Sequence, residues 1–176
     1  MNNINFRIKS HKEISNLELN QIIALKDEHW SYGVESQKKW IESNLEPDDI
    51  HFMCFYGEIL VAYLNMIHIK IQVNDSSYKM LGIGNVCVEK NFEHSGWGKK
   101  LLLETNRFIL DHHFKGILLC KENLIAFYKK CGWIKIENSN IMLINEKYHN
   151  YLMSFPVETK DIIFHSHNNI FIEKNF

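Results

Sequence analysis

The stretch V-C-V-E-K-N-F-E-H-S-G-W-G-K-K, Val86 to Lys100, reads as the end of a buried strand, a turn and the opening of a helix. Upstream, Met80 to Val88 is a long apolar run, a strand in a central position, with Gly82 and Gly84 as points where another backbone or a ligand could come close. Downstream, Gly96 and Gly98 allow a tight turn that exposes backbone N–H groups. Leu101, Leu102, Thr105, Phe108, Ile109 and His112 then recur at helical spacing, so the helix begins near Gly98. The first amides of a helix have no intrahelical partner and carry roughly half a unit of positive charge, which suits a phosphate. Lys99 and Lys100 add to that field. A lone G-x-G is also what an ordinary strand-to-helix turn contains, so the junction needs a second signal.

That signal lies downstream. Gly116 to Cys120 is a short apolar strand, and Asn123 to Cys131 a short helix stopped by Gly132, so F-Y-K-K-C-G-W (Phe127 to Trp133) reads as helix, glycine stop and strand. Together the two stretches resemble the GNAT superfamily of acyl-CoA-dependent N-acetyltransferases. In that family a strand ending V-D-P-x-x leads into R-G-x-G-x-G or a relative, and V-E-K-N-F-E-H-S-G-W-G keeps the register without a gap. The family's later F-Y-x-K-x-G-F element corresponds to Phe127 to Trp133, with Trp133 in place of Phe. The resemblance covers about residues 50 to 140.

It implies an α/β (α+β) fold: a mixed, mostly antiparallel central sheet flanked by helices, in the order β-α-α-β-β-β-α-β-α-β plus C-terminal strands. It also implies acetyl-CoA as the acyl donor. The cofactor would lie against Val86, Cys87 and Val88, whose backbone pairs with the pantetheine arm and supplies an oxyanion donor. Its diphosphate would lie on Glu93, His94, Ser95, Gly96, Trp97, Gly98, Lys99 and Lys100, with Asn123 nearby. Two positions depart from the family pattern. Glu93 stands where an Arg or Gln usually opens the loop, and a carboxylate about 8 Å from a diphosphate charge costs around 2 kcal/mol at an effective dielectric of about 20. Glu93 is therefore expected to face solvent while its backbone binds. Lys121 stands where an Asn often precedes the Tyr by seven residues, and Asn123 is placed to cap the short helix instead.

Acetyl transfer to nitrogen needs a neutral amine, a proton acceptor for the ammonium and a donor for the departing thiolate. Deprotonating an amine of pKa near 10.4 at pH 7 costs roughly 4.6 kcal/mol, and one near 8 only about 1.4 kcal/mol. Tyr128, at the family's tyrosine position, is the candidate general acid, the alternative being a core tyrosine packed on the sheet. Glu89, at the strand end, is the candidate general base, directly or through water, or else a solvated terminal carboxylate. The family usually selects acceptors with its first two helices and their loop, here D-E-H-W-S-Y-G-V-E-S-Q-K-K-W from Asp27 to Trp40. Trp30, Tyr32 and Glu35, with Trp40, Asp48 and Asp49, would form an aromatic and acidic lip for a cationic polyamine or aminosugar. Alternatively, Trp30 and Trp40 simply meet the core. The extended tail and the G-W ending are loosely similar to aminoglycoside 2′-N-acetyltransferases. Three functions stay open: acetyl transfer to a small amine, possible aminoglycosides included; a catalytically silent acyl-CoA-binding or interaction module; and protein lysine acetylation.

At 176 residues, 45% apolar and 12% aromatic, the chain reads as one acyl-CoA N-acyltransferase domain over 1–176 with a sizeable core. A formal charge of −1, from 20 basic and 21 acidic side chains, lacks the electrostatic footprint of a nucleic-acid binder. No stretch reaches the apolar length of a membrane span, and a cytoplasmic location is expected, with no membrane partner. Cys54, Cys87, Cys120 and Cys131 have no C-x-x-C spacing and read as buried reduced thiols. Ten histidines, including His112-His113 and His165-x-His167, lack partners at ligand spacing, and no metal is expected.

Element by element, Ile4 to Lys9 is a first strand and Asn16 to His29 a helix with Leu17, Ile22, Ile23 and Leu25 inward. Ser36 to Asn44 is a second helix. Pro47-Asp48-Asp49 breaks the chain before a hairpin of His51 to Tyr56 and Ile59 to Val73 turning at Gly57-Glu58. Asn74 to Ser77 is the next turn. The tail from Asn138 to Phe176 is less regular, with short strands expected at Ile141 to Ile144, Asp161 to His165 and Ile170 to Glu173. They would cover the acceptor side, form a homodimer edge or simply extend the sheet.

Overall fold

The computed structural model describes residues 4–137, 140–144, 146–147, 150–156, 168–174 and 176. Two compact units emerge, one of Met1–Ile67, Gly84–Thr105 and Phe176, the other of His68–Ile83 and Asn106–Asn175. The elements are β1 (Ile4–Ser10), α1 (Asn16–His29), α2 (Val34–Asn44), β2 (Ile50–Tyr56), β3 (Ile59–Val73), β4 (Ser76–Val88), α3 (Trp97–Asp111), β5 (Gly116–Cys120), α4 (Ile125–Lys130), β6 (Ile134–Lys135), β7 (Ile141–Leu143), β8 (Glu146–Lys147), β9 (Tyr151–Phe155) and β10 (Ile170–Ile172).

In the first unit β1 pairs antiparallel with β2 from Ile4↔Tyr56 to Ser10↔Ile50. β2 pairs antiparallel with β3, with a bulge between Cys54 and Phe55. Asn16 begins α1 because Ser15 caps it: the Ser15 hydroxyl accepts from the Glu18 N–H at 3.3 Å, and Glu18 Oε2 takes the Ser15 N–H at 3.0 Å. Burial works against the Glu18 charge, but Lys9 at 2.8 Å and the Ser15 bonds hold its carboxyl down at about 2. Because Glu18, Ile22, Leu25 and Lys26 form the inward stripe, Leu17 lies off it and is 72% exposed, contrary to the inward placement read from its apolarity.

Lys26 is the unexpected member of that stripe. Its side chain is buried, with Nζ 4.1 Å above the Trp40 ring, and burial pulls its pKa down to about 8. Unfolded, the group titrates near 10.5, so the unfolded chain binds more protons between about 8 and 10.5, and stability climbs with pH across that window. Lys26→Met should therefore raise stability at pH 7 by about 2 kcal/mol, with the gain fading towards pH 10.5. Chemical denaturation at a series of pH values checks this.

In the second unit the strand order is β6-β9-β5-β4-β3-β10-β7-β8. β4 and β5 run parallel through Leu81↔Gly116, Gly82↔Ile117 and Ile83↔Leu118, and β10 runs parallel to β7. The other described pairs are antiparallel. β9 is a strand the sequence reading did not contain: Tyr151–Phe155 pairs with β5 on one side and β6 on the other, burying Leu152, Met153 and Ser154. The strand expected at 161–165 lies outside the described residues. Asn106 pins the turn after α4, donating from Nδ2 to the Cys131 carbonyl at 2.7 Å and accepting at Oδ1 from the Trp133 indole at 3.0 Å. The F-Y-K-K-C-G-W stretch is held by this clasp, with Gly132 at φ +89 and Trp133 buried.

All four cysteines are free and buried, and burial pushes the thiols of Cys54 and Cys120 up to about 11 and that of Cys87 to about 12. No helix among the described residues is long and apolar enough to cross a membrane.

Candidate active site

β4 ends at Val88, a single turn covers Lys90–Phe92, and α3 opens at Trp97 after a four-residue loop. The loop is built by two left-handed residues, His94 at φ +58 and Gly96 at φ +84. Nothing lies within 4 Å of the place a Gly96 Cβ would occupy, so that side of the loop is open. The amides of Trp97, Gly98 and Lys99, as the first of a 15-residue helix, have no intrahelical acceptor. His94, Ser95, Gly96, Lys99 and Lys100 are exposed. Trp97 is buried instead, its ring packing on Phe92 and Tyr56, with Lys100 Nζ 4.3 Å above it. The indole thus anchors the loop from below.

Glu93 does not keep its backbone N–H for a ligand as expected, because that N–H donates to the Lys90 carbonyl at 3.3 Å. Its carboxylate is 41% exposed and lies 4.0 Å from His29 Nδ1. His29 itself is bonded through Nε2 to the Val88 carbonyl at 2.7 Å, tying the end of α1 to the end of β4. Glu89 accepts from the Asn91 N–H at Oε2 (3.1 Å) and from Asn91 Nδ2 at Oε1 (2.8 Å), which caps the turn. An ionised carboxylate has about four acceptor sites, so these bonds leave capacity for a proton or a water.

Along β4, Cys87 is buried, its thiol 3.9 Å from the Tyr63 carbonyl, while Val86 and Val88 are half-buried. Just upstream the strand is distorted: Asn85 sits at φ +53, in the left-handed region that Asn tolerates, and its Nδ2 donates to Asn65 Oδ1 at 2.6 Å. Asn65 lies on β3, is fully buried, and its Nδ2 has no hydrogen-bond partner among the described residues. Neither Asn was singled out from sequence, although Asn65 is the lone polar residue in the run I-L-V-A-Y-L-N-M-I.

At the α1–α2 connection, Tyr32 is 72% exposed and Glu35 lies exposed in the first turn of α2. Trp30 is half-buried, its carbonyl accepting from Gln37 Nε2 at 2.6 Å. Asp48 and Asp49 do not join an acidic lip: Asp48 is paired with Lys12 at 2.6 Å, and buried Asp49 holds the Glu46 N–H at 2.8 Å.

In the second unit Tyr128 is buried on α4, against Phe127, and burial raises its phenol well above the ordinary tyrosine range. Asn123 lies within a single turn, Glu122–Leu124, and is not the helix cap: that place falls to Leu124, which makes no side-chain bond.

Residues 10–135 match the family model described as an acetyltransferase (GNAT) domain. The chain belongs to the GNAT acetyltransferases. The fold agrees. ElaA of Escherichia coli is 20% identical with a TM-score of 0.61 over 86% of this chain and 97% of that one. An acyl-CoA N-acyltransferase from Pseudomonas aeruginosa is 16% identical with a TM-score of 0.62 over 86% and 99%. An aminoglycoside 6′-N-acetyltransferase complexed with coenzyme A is 15% identical with a TM-score of 0.60 over 84% and 95%. Acetyl-CoA is the co-substrate of the GNAT enzymes, and this chain is an acyl-CoA-dependent N-acyltransferase by family. The open, left-handed loop and the free helix amides of Trp97 to Lys99 fit a diphosphate.

Proposed function

We propose that the chain transfers the acetyl group of acetyl-CoA to the primary amine of a small molecule, an aminoglycoside or another aminosugar being the class its acceptor loop suits. The observation that carries this is the strand–loop–helix junction from Val86 to Lys100: half-buried strand end, two left-handed residues, open space at Gly96 and a helix start whose first amides have no intrahelical acceptor. When bound, the co-substrate supplies an activated acetyl thioester. His94 to Lys99 would hold its diphosphate through main-chain amides, with the Lys99 and Lys100 ammonium groups adding charge, and the edges of Val86, Cys87 and Val88 would align its arm. In the net reaction an N–C bond forms and a C–S bond breaks. The amine gives up a proton, and the sulfur gains one.

Glu89 takes the ammonium proton, directly or through water, from a carboxylate that Asn91 keeps in one place. Tyr128 donates a hydrogen bond to the departing sulfur, which takes its proton once the C–S bond has broken. Trp30, Tyr32 and Glu35 read the acceptor: an exposed phenol and carboxylate on the α1–α2 connection suit a polyhydroxylated cation, which offers both hydroxyls and ammonium groups. By the family pattern Asn123, in the turn before α4, would contact the cofactor.

A screen of aminoglycosides, simple aminosugars, polyamines and lysine peptides with acetyl-CoA, read by thiol release, checks the reading. Aminosugars should turn over fastest. Coenzyme A binding with no transfer to any of them would replace this reading with a silent binding module.

A further inference from the structure

The amide of Asn65 is the one buried side-chain polar group that lacks a partner among the described residues, and it sits beside Gly84, against which the main chain of Phe176 packs. Its Oδ1 is fixed by Asn85 Nδ2 at 2.6 Å, which orients Nδ2. Nδ2 then lies 3.5 Å from the point where a Gly84 Cβ would stand. A buried donor without an acceptor is costly, and such groups in native proteins call for an explanation. Nδ2 carries hydrogens only, so what answers it must be an acceptor such as an oxygen.

The same point is already occupied. The main-chain carbonyl group of Phe176 packs on Gly84, its oxygen 2.7 Å from the absent Cβ, and any side chain at position 84 would collide with it. Phe176 makes no bond to Nδ2. A ligand carbonyl facing Nδ2 at this point would take the place that the Phe176 main chain holds.

Position along β4 identifies the natural occupant. An arm anchored at the 93–100 loop and running back along Val88, Cys87 and Val86 reaches Asn85 and Gly84 at its far end, since each strand residue spans about 3.3 Å. That end carries the thioester. We infer that Asn65 is a catalytic residue: its Nδ2 donates to the thioester carbonyl oxygen and stabilises the negative charge that grows there as the amine nitrogen bonds to carbon. The left-handed Asn85 is the positioning residue that holds Asn65 Oδ1 and turns Nδ2 inward. The inference rests on the acyl-transfer reading above and adds to it a side-chain donor alongside the strand's backbone.

Two variants test it. Asn65→Leu removes the donor, and Asn65→Asp keeps an acceptor for Asn85 while replacing the donor with a carboxylate. The first readout needs no turnover: the infrared carbonyl stretch of acetyl-CoA labelled with carbon-13 at the carbonyl, bound to the full chain. The wild-type band should lie at lower frequency than in either variant. Both variants should lose on the order of 100-fold in kcat with KM values for both substrates changed less than about two-fold. A band at the same frequency in all three chains overturns the assignment, and so does a raised amine KM with unchanged kcat, which would make Asn65 an acceptor-binding residue. No bound band even in the wild type would instead overturn the acyl-transfer reading together with the inference built on it.

Discussion

Gly96→Asp should give a folded chain that acetyl-CoA no longer stabilises. No atom lies within 4 Å of the new Cβ, so the substitution meets no steric barrier. At φ +84 an L-residue costs roughly 1–2 kcal/mol, and Asp is among the residues that tolerate that region best. The larger effect is charge. A carboxylate about 5 Å from a diphosphate opposes it by around 3 kcal/mol at an effective dielectric of about 20, or roughly 100-fold in affinity. Gly96→Ala separates the two effects: it keeps the strain without the charge and should weaken binding less than about tenfold. Isothermal calorimetry with acetyl-CoA, alongside the melting temperature with and without ligand, reads both. Equal affinity in Gly96→Asp and wild type would mean that the diphosphate binds elsewhere.

The contrast with Glu93 sharpens this expectation. A carboxylate already stands in the loop, yet it points towards His29 at 4.0 Å and towards solvent, and its backbone remains part of the turn. Residue 96 has no such partner: nothing lies within 4 Å of its Cβ direction, and the proposed diphosphate site is on the same loop. Raising salt should partly restore binding in Gly96→Asp, since exposed charges are screened over about 8 Å at physiological ionic strength.

Much of the fold was legible because local chemistry and tertiary structure agree. Ser15 and the breakers around Gly57 and Asn74 mark boundaries that the structure keeps: α1, β3 and β5 fall where the pattern put them. The loop was legible for the same reason, since Gly96 is required by its backbone angle. Three things were hidden. Leu17 is apolar but lies off the stripe selected by Glu18, whose burial depends on Lys9 from another element. β9 lies between Asn150 and Pro156, but a five-residue run becomes a strand only where neighbours pair with it, and here β5 and β6 flank it. The Asn65–Asn85 pair joins residues twenty positions apart, and only the β3–β4 register brings them together. Sequence periodicity reports which face a residue takes, whereas a cross-strand polar pair is a property of register, which no single strand encodes.

Tyr128→Phe should lower kcat by about 100-fold while leaving acetyl-CoA affinity unchanged. The hydroxyl is the only atom removed, and the buried ring remains to pack against Phe127. Burial raises the phenol's pKa, so it stays protonated at every pH at which the enzyme would be assayed and contributes no alkaline limb to the rate profile. The same shift makes complete proton transfer to a thiolate of pKa near 8.5 unfavourable before the C–S bond breaks. The phenol therefore acts as a hydrogen-bond donor whose effect grows with the charge on sulfur. The defect should then shrink when the leaving thiol is more acidic: an acetyl donor whose thiol pKa is about two units lower needs less help, and the variant should approach the wild-type rate with it. A constant ratio of variant to wild-type rates across such donors would place Tyr128 in the core alone, and an unchanged kcat with acetyl-CoA itself would do so directly.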